Sequence, residues 1–147
     1  MKQISMLLVM LFLGSQLTAQ TWQSHFEDAK ALAKKENKKI ILVFSGSDWC
    51  APCIKLDTNV WQSDVFKKEA ASQWILYKAD FPRKKANKLS DALTKENDAL
   101  AEKYNKSGLF PLVLVLTPDG KVLGSMGYEN ITASEYVQKL KTLAQKS

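Results

Sequence analysis

Cysteine and histidine are scarce in this sequence of 147 residues: two cysteines, Cys50 and Cys53, and one histidine, His25. A structural zinc site takes four nitrogen or sulfur ligands, so these side chains leave the set short. Two thiolates alone suit copper(I), the one metal chemistry the ligand count leaves open. The apolar run at the N-terminus, Met6 to Leu13, falls well short of the ~20 residues that span a bilayer. Residues 20–147 hold no repeat, linker or low-complexity segment. No nucleic-acid motif and no basic stripe interleaved with aromatics occurs, so a nucleic-acid partner is not expected.

What is present is a globular composition, 46% apolar and 24% charged. The length suffices for one domain with a true core. The formal net charge is +6. Lysines such as Lys34, Lys35, Lys38 and Lys39 fall in helix-like runs and read as solvated faces, the alternative being a weak attraction to acidic partners or a membrane surface. The N-terminus has the layout of a secretory signal peptide: Lys2, the apolar run, then a polar, small stretch from Ser15 to Gln20. We expect a signal peptide over 1–19, cleaved after Ala19. The domain 20–147 would then be exported, periplasmic or secreted, in an oxidising compartment where a disulfide persists. No cysteine lies in this region to carry a lipid.

The chemistry concentrates in Trp49-Cys50-Ala51-Pro52-Cys53, directly after the apolar run Lys39 to Phe44. Two thiols at this spacing close a small ring with little rearrangement, which suits electron exchange better than bracing. A helix is expected from Cys50 onward, with Pro52 tolerated in its first turn because its missing N–H has no partner there. A thiol at a helix start is met by unpaired N–H groups and the positive end of the dipole, which favour thiolate. Cys50 is therefore the expected nucleophile. Cys53, one turn further and more buried, would resolve the mixed disulfide.

Elsewhere the pattern reads in order. A first helix is capped by Ser24 and Glu27, and a buried strand covers Ile40 to Phe44. A helix follows with Ile54, Leu56 and Val60 inward, then a helical piece over Trp61 to Gln73 and a strand from Trp74 to Asp80. After the basic connection Phe81 to Lys88 comes a helix carrying Leu89, Leu93, Leu100 and Tyr104, then Gly108 as a left-handed stop. The strand Leu112 to Leu116 leads through Thr117-Pro118-Asp119-Gly120 into a hairpin, and Thr132 with Glu135 caps a last helix. Strands joined through helices are expected to run parallel, with the hairpin adding an antiparallel edge. The result is an α/β domain: a central mixed sheet flanked by helices.

Strand, Trp-Cys-Ala-Pro-Cys and amphipathic helix together resemble the thioredoxin family, and the expected architecture is that family's fold. The resemblance extends over nearly all of Trp22 to Lys146. It implies a thiol–disulfide oxidoreductase acting on protein disulfides, with no bound cofactor. Pro111 matches the family's cis-proline, which lies against the disulfide. Phe110 would then contact the substrate chain, Trp49 would wall the site, and Pro52 would shape it. The family's buried acid, six residues before the first cysteine, is here Phe44; Asp48 and Lys55 stand as candidates for tuning the thiol. The leader and the long stretch Phe81 to Leu100 look closer to a secreted bacterial branch, which includes the C-terminal domain of the membrane reductant conductor. That likeness implies an exported, monomeric reductase or isomerase recharged by a partner dithiol, for instance a membrane electron conductor. Two other readings stay open: a non-catalytic interaction module with a structural disulfide, and a copper(I) or other metal–thiolate protein.

Overall fold

The computed structural model describes residues 20–147; the expected signal peptide over 1–19 lies outside them. The order is α1 (Phe26–Glu36), β1 (Lys39–Ser45), α2 (Ala51–Leu56), a π-helical turn (Asp57–Trp61), α3 (Asp64–Gln73), β2 (Trp74–Asp80), a 3-10 turn (Lys85–Asn87), α4 (Asp91–Tyr104), β3 (Leu112–Leu116), β4 (Val122–Met126) and α5 (Ala133–Ala144). The four strands form one mixed sheet in the order β2-β1-β3-β4.

The interior strands β1 and β3 are apolar on both sides because both faces are covered. Along β1, Ile40, Leu42 and Phe44 point to one face, among Phe26, Tyr77 and Leu100. Ile41 and Val43 point to the other, among Leu56, Trp61, Phe66 and Tyr136. This is the two-residue alternation of a strand. Each such fully buried side chain stabilises the fold by about 1.5–3 kcal/mol relative to exposure.

β1 and β2 pair in parallel, Lys39 opposite Trp74 and Ser45 opposite Asp80. β3 departs from the expectation: although a helix precedes it, it runs antiparallel to β1, with Leu112 opposite Phe44 and Leu116 opposite Ile40. The reason lies after α4. That helix ends with the Tyr104 hydroxyl donating to the Gly120 carbonyl, 2.7 Å away, beyond the far end of β3. Residues 105–111 then carry the chain back to the edge of the sheet that β2 left, so β3 must run down again. Asn105, buried, holds this return through bonds to the Leu109 N–H (2.9 Å) and carbonyl (2.8 Å). The ends of β1 and β2 and the start of β3 thus meet at one edge.

Local signals hold at several ends. Gly120 adopts φ +89 in the hairpin turn and Gly108 φ +65 before β3. Thr132 and Glu135 form the expected capping box on α5. Others fail. Ser24 and Glu27 do not cap α1; His25 is at the cap position, and its side chain makes no capping bond to the helix. The first N–H, that of Phe26, is instead bound by Glu96 of α4 at 2.6 Å. Ile54 is 46% exposed rather than inward. Trp61 belongs not to α3 but to the π turn, whose wider winding buries both Val60 and Trp61.

Glu96 also meets His25 Nδ1 at 2.9 Å and accepts from the Tyr77 hydroxyl at 3.2 Å. That pairing, first by hydrogen bond and then by charge, raises the His25 pKa above its ordinary 6.5. For Glu96, burial pushes upward, but the donors His25, Phe26 N–H and Tyr77 outweigh it and leave the pKa below 4.5. The two shifts act on stability with opposite signs. The His25 contribution is complete below pH 6.5 and is lost as pH rises through the raised value. The Glu96 contribution is present above pH 4.5 and is lost as pH falls through the lowered one. Glu96→Gln should therefore flatten both limbs of a plot of denaturation midpoint against pH; limbs that survive the substitution would assign them to other groups.

Candidate active site: the Cys50–Cys53 dithiol

The chain leaves β1 at Ser45 and turns at once. The N–H groups of Trp49 and Cys50 both donate to the Gly46 carbonyl, at 3.3 and 2.9 Å. This sets Cys50 as the N-cap of α2, with extended backbone at φ −92 and ψ 102. Its sulfur accepts the Cys53 N–H at 3.3 Å, and its carbonyl accepts the Ile54 N–H at 3.0 Å. Pro52, in the first turn, has no N–H to strand there. Cys50 and Cys53 are joined as a disulfide with their Cα atoms 5.2 Å apart. Burial separates them little, at 5% and 3% exposure. The difference between them lies in the cap: the sulfur of Cys50, not that of Cys53, receives the helix N–H.

Opposite the helix start, the Phe110–Pro111 bond is cis. Pro111 and Phe110 line a hollow of about 450 Å³ with Pro52, Leu109, Met126 and Tyr128. Leu109 is 54% exposed there, a large apolar side chain left open to solvent at the rim.

Trp49 is fixed from several sides. Its indole N–H donates to the Phe81 carbonyl at 2.7 Å, and the Arg83 guanidinium lies 3.8 Å from the ring centre. Phe110 meets the indole edge-on at 5.4 Å, and Phe81 meets Phe110 at 5.5 Å. A side chain at Gly46 would run into the same indole, so a glycine is required at that point. Phe44, in the place of the family's buried acid, is itself buried and stacks on Phe81 at 6.4 Å. Phe81 was not singled out in the sequence; it lies 31 residues beyond Cys50, and only the pairing of β2 with β1 brings it here.

The tuning candidates resolve differently. Asp48 accepts from the Arg83 N–H (2.9 Å), the Lys84 N–H (3.0 Å) and the Asn87 amide (3.0 Å). The Arg83 bond foremost, then the Asn87 one, holds its carboxyl below the ordinary 3.8. Asp48 therefore stays ionised near neutral pH and anchors the 83–87 turn. Lys55 is exposed in the last turn of α2, the end of the helix away from the Cys50 cap. His25 is engaged by Glu96. Among the described residues, no group of three His, Cys, Asp or Glu side chains is placed to hold a metal ion.

Comparison with known proteins agrees with this geometry. The thioredoxin-like family model matches residues 21–118. The chain is 36% identical over 121 residues to the disulfide bond reductase DsbH of Chlamydia pneumoniae, covering 82% of this chain and 70% of that one. A solved structure of a DsbH oxidoreductase superposes with a TM-score of 0.80 at 32% identity, covering 86% and 85% of the two chains. The oxidised C-terminal domain of DsbD from Neisseria meningitidis shares the fold, with a TM-score of 0.54 at 19% identity over 78% and 89%. The chain belongs to the thioredoxin-like family, and with its dithiol placed in this way it is a thiol–disulfide oxidoreductase of that type.

The fit between Gly46 and Trp49 can be measured as a coupling. Gly46→Ala should cost about 1–3 kcal/mol, the usual penalty of overpacking. In a Trp49→Ala background the same change should cost at least about 1 kcal/mol less, because the side chain it strikes is gone. Equal costs in both backgrounds would show that the indole does not impose the glycine.

Proposed function

We propose that this chain is an exported disulfide reductase in which Cys50 attacks and Cys53 resolves. The carrying observation is the sulfur of Cys50 at a helix start, bonded by the Cys53 N–H. In the reduced protein, that donor and the helix dipole favour thiolate at Cys50 over an ordinary peptide thiol, whose pKa is about 8.5. The thiolate attacks one sulfur of a substrate disulfide. A Cys50–substrate mixed disulfide forms, and the other substrate sulfur leaves as thiolate and takes a proton. Cys53, deprotonated, then attacks the Cys50 sulfur. The substrate leaves as a dithiol and the Cys50–Cys53 disulfide returns, two electrons having passed to the substrate. A partner dithiol returns two electrons for the next turnover, and a membrane electron conductor fits that role.

The hollow beside Pro111 takes the substrate chain along Phe110, with Trp49 as the neighbouring wall and Pro52 shaping the helix start. The reductase direction is supported by the likeness to the disulfide bond reductase of Chlamydia pneumoniae, and export by the layout of residues 1–19. A brace is disfavoured as the role of the bridge. It joins residues only three apart, and so short a loop removes little freedom from the unfolded chain.

Cys50→Ser should abolish reduction of insulin while leaving the fold intact. Cys53→Ser should accumulate mixed disulfides with target proteins, visible on non-reducing gels and released by dithiothreitol. A Cys53→Ser protein that captures nothing would overturn the exchange role. The equilibrium potential of the pair decides direction: a value near about −270 mV supports reductase work and one near about −120 mV contradicts it.

A further inference from the structure

The connection from β2 to α4 adds a second feature to the edge of the sheet where the dithiol sits. It carries Arg83, Lys84, Lys85 and Lys88, all exposed. They border a hollow of about 300 Å³, lined otherwise by the apolar Phe81, Pro82 and Leu89 and by the polar Asp80, Thr94 and Asn97. Two residues of its lining, Phe81 and Arg83, meet Trp49, the chain neighbour of Cys50. The Phe81 carbonyl holds the Trp49 indole, and the Arg83 guanidinium covers its ring. The connection is also fixed in place. Asp48 binds the backbone of Arg83 and Lys84, and the Phe81 N–H donates to the Ser45 carbonyl at 2.9 Å.

The acids nearby keep their charge, and Asp48 and Asp80 are each held in place by neutral donors. Asp48 accepts three N–H donors. Asp80 accepts the N–H and hydroxyl of Ser47 at 2.9 and 2.5 Å. Asp91 stands 3.8 Å from Lys88, with both side chains largely in solvent, a pairing that contributes little. Among the described residues, no carboxylate lies within ion-pair distance of Lys84, Lys85 or the Arg83 guanidinium. Four cations line the hollow against one carboxylate, that of Asp80, with Asp48 close to Lys84 outside the lining, so the hollow keeps a net positive charge beside a site that handles polypeptide disulfides.

We propose that this hollow receives an acidic side chain of the substrate, a glutamate or aspartate close in sequence to the disulfide being reduced. The apolar wall takes the methylene stem and the lysines take the carboxylate. Trp49 and Arg83 link this contact to Cys50, so recognition and attack fall on one stretch of substrate. The inference rests on the disulfide-exchange reading and names the class of substrate that site selects.

The test uses two synthetic peptides with the same internal disulfide, one with acidic and one with basic flanking residues. Reduction is followed as kcat/KM at low ionic strength and at about 1 M salt, where the screening length falls to about 3 Å. The acidic peptide should be preferred about ten-fold at low ionic strength and no more than about two-fold at high salt. Combined Lys84→Ser, Lys85→Ser and Lys88→Ser should bring the low-salt preference to about two-fold or less, whereas combined Lys34→Ser, Lys35→Ser and Lys68→Ser, on other faces of the molecule, should keep it. No preference in the unaltered protein, or the same loss in both triple variants, overturns the inference, the latter assigning the effect to net charge. A protein that reduces neither peptide nor insulin contradicts the exchange reading itself and this inference with it.

Discussion

The backbone N–H of Cys53 points at the sulfur of Cys50, 3.3 Å away, and the surrounding structure serves to keep it there. Burial of the sulfur disfavours a charged thiolate, while a helix start supplies donors that favour it. The balance depends on where the helix begins. That point is set by the turn after β1, where Gly46 accepts the Cys50 N–H, and by Pro52, which needs no partner for an N–H it lacks. The turn in turn depends on β1, where a one-residue shift would exchange Ile40, Leu42 and Phe44 of one core with Ile41 and Val43 of the other, and neither core is shaped for the other set.

The direction of β3 brings in the other half of the site. Because α4 is followed by a return along 105–111, β3 starts at the edge where β1 ends, and the cis peptide before Pro111 falls opposite the helix start. A parallel β3 would have placed Phe110 and Pro111 at the far end of the sheet. The end of β2 arrives at the same edge and delivers Phe81 and Arg83 to Trp49. Three strand ends, distant in sequence, thus supply the dithiol, the groove and the aromatic wall.

Much of this is legible in the sequence, because the signals are local. The apolar run of β1, the Cys-Ala-Pro-Cys spacing, the glycine of the Gly120 turn and the Thr132–Glu135 capping box each specify their structure within a few residues. What was misread depends on partners far along the chain. The cap of α1 comes from Glu96, 70 residues away, so Ser24 and Glu27 were a reasonable but empty match. The partners of Asp48 are equally remote, since the 83–87 segment supplies them from 35 residues or more along the chain. Ile54 fitted an inward stripe, but the pitch of α2 turns it to solvent while the π turn swings Trp61 into the core. The buried amides of Asn97 and Asn105 carried no sequence signal, since each is defined by the carbonyls it meets: Asp80 for the first and Leu109 for the second.

The dithiol, the groove and the fixed aromatic wall act on substrate only if helix geometry makes Cys50 an unusually acidic thiol. The direct measurement is the rate of iodoacetamide alkylation of Cys50 against pH in the Cys53→Ser protein, which keeps the residue-53 N–H, beside a flexible peptide of residues 48–54. The peptide should show a midpoint at about 8.5, the ordinary value for a free thiol. The folded protein should titrate well below it; coincident midpoints would contradict the account, because the helix start would then be giving the sulfur nothing.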